Sequence, residues 1–317
     1  MLTDTPGIHH VTTMVGDPQA NLDFFVEVLG LRHVKRTVNH EDVLRYHFYY
    51  GNGGGELGTI YTCFPYPNEP SGRRGRPSIT ATSFAVPRGS LDFWHDRLAD
   101  HGVATERQER FGDDLLRFED PAGTRVELVA ADSPVDPWSD GSVPADHAIR
   151  GIHGVTTLPV DPYQTASVLE TLGLEQVAES DDRIRYRAPG DRATTIDLLA
   201  HDGDFGREGI GTIHHVALRV ADDDLREWHD LFRDRDIRVS RIRDRHYYRS
   251  IYVREPGGIL IELATESPGL TVDEDADALG ESLVLPPWAE DDREMIEDQL
   301  PPIEIPTPTT GTDDRDA

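Results

Sequence analysis

The sequence predicts an α+β fold built from four βαβββ modules. Two observations carry that prediction. GIHHVTT at 7–13 returns as GIHGVTT at 151–157, and its histidine pair returns in GTIHHVA at 211–217. Trp94-His95-Asp96 and DPAGTRVEL likewise return as Trp228-His229-Asp230 and EPGGILIEL. Such echoes mark repeated supersecondary units, four of about 55 residues each, and the duplication is of pairs. Unit one matches unit three, and unit two matches unit four.

Each element follows in turn. Unit one opens with a β-like run over 8–14. Asp17-Pro18 then starts a helix with Leu22, Phe25, Val26 and Leu29 at i, i+3, i+4, i+7 spacing, and Gly30 ends it as an αL cap. Strands are expected around 44–50 and 58–64, separated by the turn-forming GNGGG at 51–55. Unit two spans about 79–130, with a helix through Leu91, Trp94 and Leu98 and a last strand over 125–129. Unit three runs from 151 to about 200, and Asp161-Pro162 opens its helix. Unit four begins at Gly211; its helix holds Leu225, Trp228, Leu231 and Phe232, and its last strand covers 259–264. The expected division is an N-terminal half at 1–134, a linker at 135–149 and a C-terminal half at 150–270. An extension at 271–300, with one short helix from Pro287 to Leu300, and a disordered tail at 301–317 complete the chain.

Composition bounds the function. No apolar run approaches the roughly 18 residues that span a bilayer, and MLTDTPGIHH lacks a basic-then-apolar leader. A single cysteine, Cys63, permits no internal disulfide, which suits a reducing cytoplasm. Net charge is −28, and of 31 basic residues one, Lys35, is lysine and 30 are arginine. Acidic residues are spread over the whole chain, which reads as a solvated surface tuned to high salt, as in a halophilic microbe. Stability is expected to rise with molar KCl in thermal melts; full stability at low salt contradicts that reading. A surface of this sign repels phosphates and argues against nucleic-acid binding.

The repeats also place a candidate metal centre. His10 and His215 lie on the first strands of units one and four, and Glu262 on the last strand of unit four. Unit three has Gly154 at the matching position and unit two about Ala81. A strand histidine is ordinarily a hydrogen-bonded structural residue, but imidazoles kept in two copies and dropped in two others point to a site between particular copies. Two neutral imidazoles and one carboxylate can hold one face of a divalent ion, leaving the opposite positions open. One metal site is expected between the first and last units, and a vacated counterpart between the middle two. Glu127 and Asp197 are read as residual polar contacts there, and His33, His40, His47, His95, His101 and His229 as surface or structural residues. Strand alternation suggests that only one member of each His-His pair can ligate, and His10 and His215 are preferred.

These residues carry a family resemblance. The four units, the FFVEVLGL helix end, His-His-Val and the terminal Gly-Ile-Leu-Ile-Glu-Leu resemble the vicinal oxygen chelate (glyoxalase/bleomycin resistance/dioxygenase) superfamily, in which paired modules form two curved-sheet barrels. More narrowly the chain is similar to its hydroquinone-type ring-cleaving dioxygenases over roughly 7–300, most sharply in DRHYYRSIYVREPGGILIELATESPG at 244–269. The resemblance implies Fe(II) on His10, His215 and Glu262, with Mn(II) fitting the same ligand set. The more familiar extradiol enzymes take their first histidine from unit three, an arrangement that Gly154 rules out. It further implies supporting roles for His9, Thr12, His214, Arg245 and Tyr252, with His214 or His9 as acid or base. His246 stands where an aromatic residue is expected, which bears on substrate preference.

The expected function is therefore a cytoplasmic Fe(II)-dependent, extradiol-type dioxygenase opening the ring of a hydroquinone or catechol. Its partners are a small aromatic diol and O2, with no nucleic acid and no membrane, and a homo-oligomer is compatible with the sequence. Two rivals are a glyoxalase-like metal-dependent lyase or isomerase, typically with a fourth protein ligand, and a metal-free small-molecule-binding resistance protein.

Overall fold

The computed structural model describes residues 2–307. Every module shows the same element order. Module one contains β1 (Ile8–Val15), α1 (Pro18–Asp23) continued by a π turn at Phe24–Val28, β2 (Arg32–Asn39), β3 (Asp42–Gly51) and β4 (Ile60–Pro65). Module two contains β5 (Ser78–Val86), α2 (Leu91–Asp100), β6 (Glu106–Arg110), β7 (Asp113–Glu119) and β8 (Arg125–Ala130). Module three contains β9 (Ile152–Leu158), α3 (Pro162–Thr171), β10 (Glu175–Ser180), β11 (Arg183–Arg187) and β12 (Thr195–Leu199). Module four contains β13 (Thr212–Val220), α4 (Leu225–Asp234), β14 (Arg243–Asp244), β15 (Arg249–Arg254) and β16 (Leu260–Thr265).

Local chemistry explains the boundaries. Asp17 caps α1 by accepting from the Ala20 amide, and Asp161 caps α3 by accepting from Tyr163 and Gln164, each followed by a proline at the first helical position. Gly30 takes φ of +69° after the π turn, a conformation that costs glycine little. In α4 the stripe Leu225, Trp228 and Phe232 is buried. β2 escapes a reading by periodicity because RHVKRTVN is polar, yet most of it is buried.

The modules pair first with fourth through β1–β13 and second with third through β5–β9, both antiparallel. A single Ile213–Ile79 pairing links β13 to β5, so the strands run as one open 16-stranded sheet rather than two closed barrels. Helices pack outside, and Phe25, Tyr50, Tyr61, Phe84 and Trp94 anchor the apolar core. Among the described residues no helix is long and apolar enough to cross a membrane.

The extension is tied to module one by the only lysine. Lys35 is fully buried, with Nζ 2.6 Å from Asp273 and 2.5 Å from Glu274. Lys35→Met strands two carboxylates and is expected to cost about 3–5 kcal/mol in chemical denaturation, the range for breaking a buried ion pair. An unchanged midpoint would contradict that anchoring role. Beyond it lie a 3₁₀ turn at Pro287–Asp292 and α5 (Arg293–Gln299). Of the expected tail, residues 301–307 are described: Tyr46 donates to the Pro301 carbonyl, and Gln19 and Glu304 exchange two hydrogen bonds. Its remaining residues, 308–317, lie outside the described residues.

His33 is a core residue packed on Phe48 and Tyr50, with neither ring nitrogen hydrogen-bonded. Burial, then the Arg36 charge, lower its pKa to about 3. The unfolded chain therefore takes up a proton below about pH 6.5 that the fold refuses, so this stability is present above 6.5 and lost as pH falls toward 3. His33→Phe removes the penalty. Relative to the native chain, the variant is expected to gain about 2 kcal/mol on going from pH 7.5 to pH 5, measured by urea denaturation. An equal difference at both pH values would contradict it.

Candidate metal centre

The centre forms where modules one and four meet. Each strand of the β1–β13 pair carries one extra residue. Ile8 faces Leu218 but His10 faces Ala217, so His9 is a bulge; Thr12 faces His215 but Thr13 faces Ile213, so His214 is a bulge. The bulges overturn the expectation that neighbouring histidines face opposite sides. Nδ1 of His9 lies 2.9 Å from Nδ1 of His10, and Nδ1 of His214 lies 2.7 Å from Nδ1 of His215.

Proton placement follows from these contacts. Burial, then the neighbouring His10, lower the His9 pKa to about 3, so His9 is neutral. Its Nε2 is 3.2 Å from the Thr265 carbonyl, which can only accept, so that nitrogen carries the hydrogen. Nδ1 of His9 must then accept from Nδ1 of His10, which leaves Nε2 of His10 bare. The fourth module repeats the logic. Burial holds the His214 pKa down against the Glu208 charge, and Nε2 of His214 faces Glu208 at 3.3 Å. Nδ1 of His214 therefore accepts from His215, leaving Nε2 of His215 bare. Each first histidine fixes the tautomer of the second, as outer partners of metal-bound imidazoles do.

The two bare nitrogens lie 3.2 Å apart. Oε2 of Glu262 is 3.2 Å from Nε2 of His10 and 2.8 Å from Nε2 of His215, yet neither carboxylate oxygen has a hydrogen bond of acceptable geometry. All three residues are buried, and their donor atoms lie within 4.8 Å of one another. Burial opposes ionisation of Glu262, and with both facing imidazoles neutral its negative charge calls for a cation at this centre. Burial likewise lowers His215 to about 4 against the pull of Glu262, so it offers a lone pair at neutral pH. Three converging acceptors without a proton between them fit a divalent cation.

A cavity of about 400 Å³ opens onto this centre, within the range of small-molecule sites. Of the residues expected to support the centre, Thr12, His214, Arg245 and Tyr252 line it, whereas His9 lies behind His10. Arg245 donates to Tyr252 Oη at 3.1 Å and to Glu41 at 3.0 Å. Burial, then the Glu262 charge, raise the Tyr252 pKa well above 10, so its hydroxyl keeps its proton. His246 donates to or accepts from nothing in the cavity; its Nε2 faces Asp273 at 3.0 Å.

His40 and His47, read as surface or structural from the sequence, line the cavity, as do Glu41, Glu208 and Tyr248. Tyr248 stands against the His9 and His10 rings at 4.9 and 5.4 Å. Its place beside Tyr247 in the 244–269 segment was the only signal for it, and the others carry none, because they arrive from separate modules.

The middle pair of modules carries carboxylates at the matching register positions. Glu127 accepts from Ser83, from Arg110 at 2.9 and 2.8 Å, and from Arg117, and Asp197 from Arg183 and Arg185. Burial opposes it, but Arg110 holds the Glu127 carboxyl down to about 2. These carboxylates are neutralised by arginine, a stronger arrangement than the residual polar contacts expected.

Comparison with known proteins follows the same lines. The family description Glyoxalase/Bleomycin resistance protein/Dioxygenase superfamily matches residues 7–128 and 168–263. The chain is 42% identical to the Bacillus subtilis (strain 168) protein named "Putative ring-cleaving dioxygenase MhqO", over 96% of this chain and 99% of that one. It is 33% identical to the chlorohydroquinone/hydroquinone 1,2-dioxygenase of Sphingobium indicum, over 90% and 92% respectively. A crystal structure of a "putative dioxygenase" from Bacillus subtilis superposes with TM-score 0.93 at 42% identity, covering 96% of this chain and 99% of that one. Glyoxalase I from Zea mays shares the fold, with TM-score 0.61 at 16% identity over 82% and 92% of the two chains.

Proposed function

The chain belongs to the Glyoxalase/Bleomycin resistance protein/Dioxygenase superfamily, and from that premise we propose that it is an Fe(II)-dependent ring-cleaving dioxygenase acting on a hydroquinone. The observation that carries this reading is the convergence of His10 Nε2, His215 Nε2 and Glu262 in one buried cluster beside an aromatic-lined cavity. Similarity to a chlorohydroquinone/hydroquinone 1,2-dioxygenase supports a 1,4-diol over a catechol. Cytoplasmic location is part of the same proposal, supported by a single, buried cysteine.

His10, His215 and Glu262 would hold the iron. When bound, that metal supplies a Lewis-acidic, redox-active centre at which a phenolate and dioxygen can meet. The chain's own residues do the rest. Tyr252 keeps its proton and can offer it as a hydrogen bond beside the centre, while Arg245 donates to the Tyr252 oxygen and adds positive charge. His214 faces the cavity with an Nε2–H, backed by the exposed Glu208 carboxylate, so it rather than His9 is the residue placed to exchange a proton. His9 acts through His10 alone. Thr12 contributes a cavity hydroxyl. Insertion of both oxygen atoms of O2 between a hydroxyl-bearing ring carbon and its neighbour gives an unsaturated acid carrying an aldehyde or acyl group.

Anaerobic reconstitution with Fe(II) followed by oxygen uptake on hydroquinone, methylhydroquinone and catechol tests this. Uptake of one O2 per diol, faster with the 1,4-diols, is the expected result. Tight metal binding without uptake would favour the lyase or isomerase reading.

A further inference from the structure

Strand register assigns a fourth position at the centre, and the residue there has no role so far. In module four the carboxylate residue pairs with the residue two beyond the ligand position: Glu262 faces Ala217, two after His215. The same rule puts Glu127 opposite Ser83 in module two and Asp197 opposite Thr156 in module three. In module one it selects Thr62, opposite Thr12, two after His10. The pairings His10–Ala217 and Thr12–His215 are images of each other, so Thr62 occupies in module one the place that Glu262 occupies in module four. Three modules keep a carboxylate there; module one alone has a hydroxyl.

That hydroxyl is held firmly. Thr62 is fully buried, and its Oγ1 lies 2.8 Å from Thr12 Oγ1 and 2.9 Å from Nε2 of His47. The His47 ring is packed between Tyr49 and Phe64 at 4.3 and 4.2 Å, which fixes its direction. Thr12 and His47 both line the cavity, so the cavity meets the centre on this side.

We propose that Thr62, locked by His47 and Thr12, is a positioning residue that fills the fourth carboxylate place with a neutral, hydrogen-bonded hydroxyl and so keeps one metal position open to an exogenous ligand from the cavity. The inference rests on the iron centre proposed above. A weak neutral donor already engaged in two hydrogen bonds competes poorly for a cation, whereas a carboxylate there would add charge and a strong oxygen ligand.

The test compares native protein, Thr62→Asp and Thr62→Val, each reconstituted anaerobically with Fe(II). Nitric oxide binding is read by electron paramagnetic resonance, and iron loss to a chelator by absorbance. Aspartate has a precedent at this register position in Asp197. Its variant is expected to hold iron about tenfold longer or more, the lower end of what outer-shell partners alone are worth, and to give a weakened and altered nitric oxide signal, because the added carboxylate takes one of the open positions. Thr62→Val, of the same shape without a donor, is expected to keep the native signal. Native-like nitric oxide binding and iron loss in Thr62→Asp would overturn the proposal, as would loss of the signal in Thr62→Val. If Thr62→Asp does not fold, Thr62→Glu, with the reach of Glu262, takes its place in the same comparison. Failure of the native protein to bind iron or nitric oxide defeats the iron centre itself and is thereby distinguished.

Discussion

Glu262→Gln is expected to abolish ring cleavage and iron retention together. The substitution keeps the shape of the side chain and one carbonyl oxygen, but removes the charge that the buried centre lacks elsewhere. Both carboxylate oxygens are buried without a hydrogen-bond donor, a state that is costly unless a cation faces them. Loss of an outer-shell partner costs about 10–100-fold in metal affinity or activity, and a direct ligand should exceed that. Metal analysis and oxygen uptake on the same preparation measure both effects. Near-normal turnover in Glu262→Gln would refute the ligand assignment.

Tyr252→Phe and Arg245→Gln should separate catalysis from metal binding. Neither side chain is a ligand, so iron content is expected to stay native. Each removes a donor that serves developing negative charge, and kcat should fall by about 100–1000-fold, as when an oxyanion donor is lost. Arg245→Gln also releases Glu41, which joins the β2–β3 turn to Arg245 and Arg243, so KM is expected to rise in that variant. Loss of iron in either variant would place these residues in the metal's support instead.

How much of this was legible in the sequence depends on which interactions were local. The four modules could be read because each repeats its own caps and apolar stripes within about 55 residues. The His10, His215 and Glu262 triangle was legible for a different reason: Gly154 and Ala81 act as an internal contrast at the matching positions. His10 is preferred over His9 from the sequence by strand alternation, an argument that the structure replaces. Alternation fails at the bulges, and it is the Thr265 carbonyl, far from His9 in sequence, and Glu208, in the loop before β13, that decide which nitrogens are bare. His47, Tyr248 and Glu41 could not be found by motif, since each gains its place only when modules one and four close on each other. The arginine clamp on Glu127 and Asp197 was hidden in the same way, by partners spread over β6, β7 and β11.

One measurement tests the central claim most directly. Protein stripped of metal and reloaded anaerobically with Fe(II) is mixed with hydroquinone and a known amount of O2. The account predicts one O2 consumed per diol, with a new ring-opened chromophore and no uptake from the metal-free protein. Full metal binding with no oxygen consumed on hydroquinone, methylhydroquinone or catechol would contradict it.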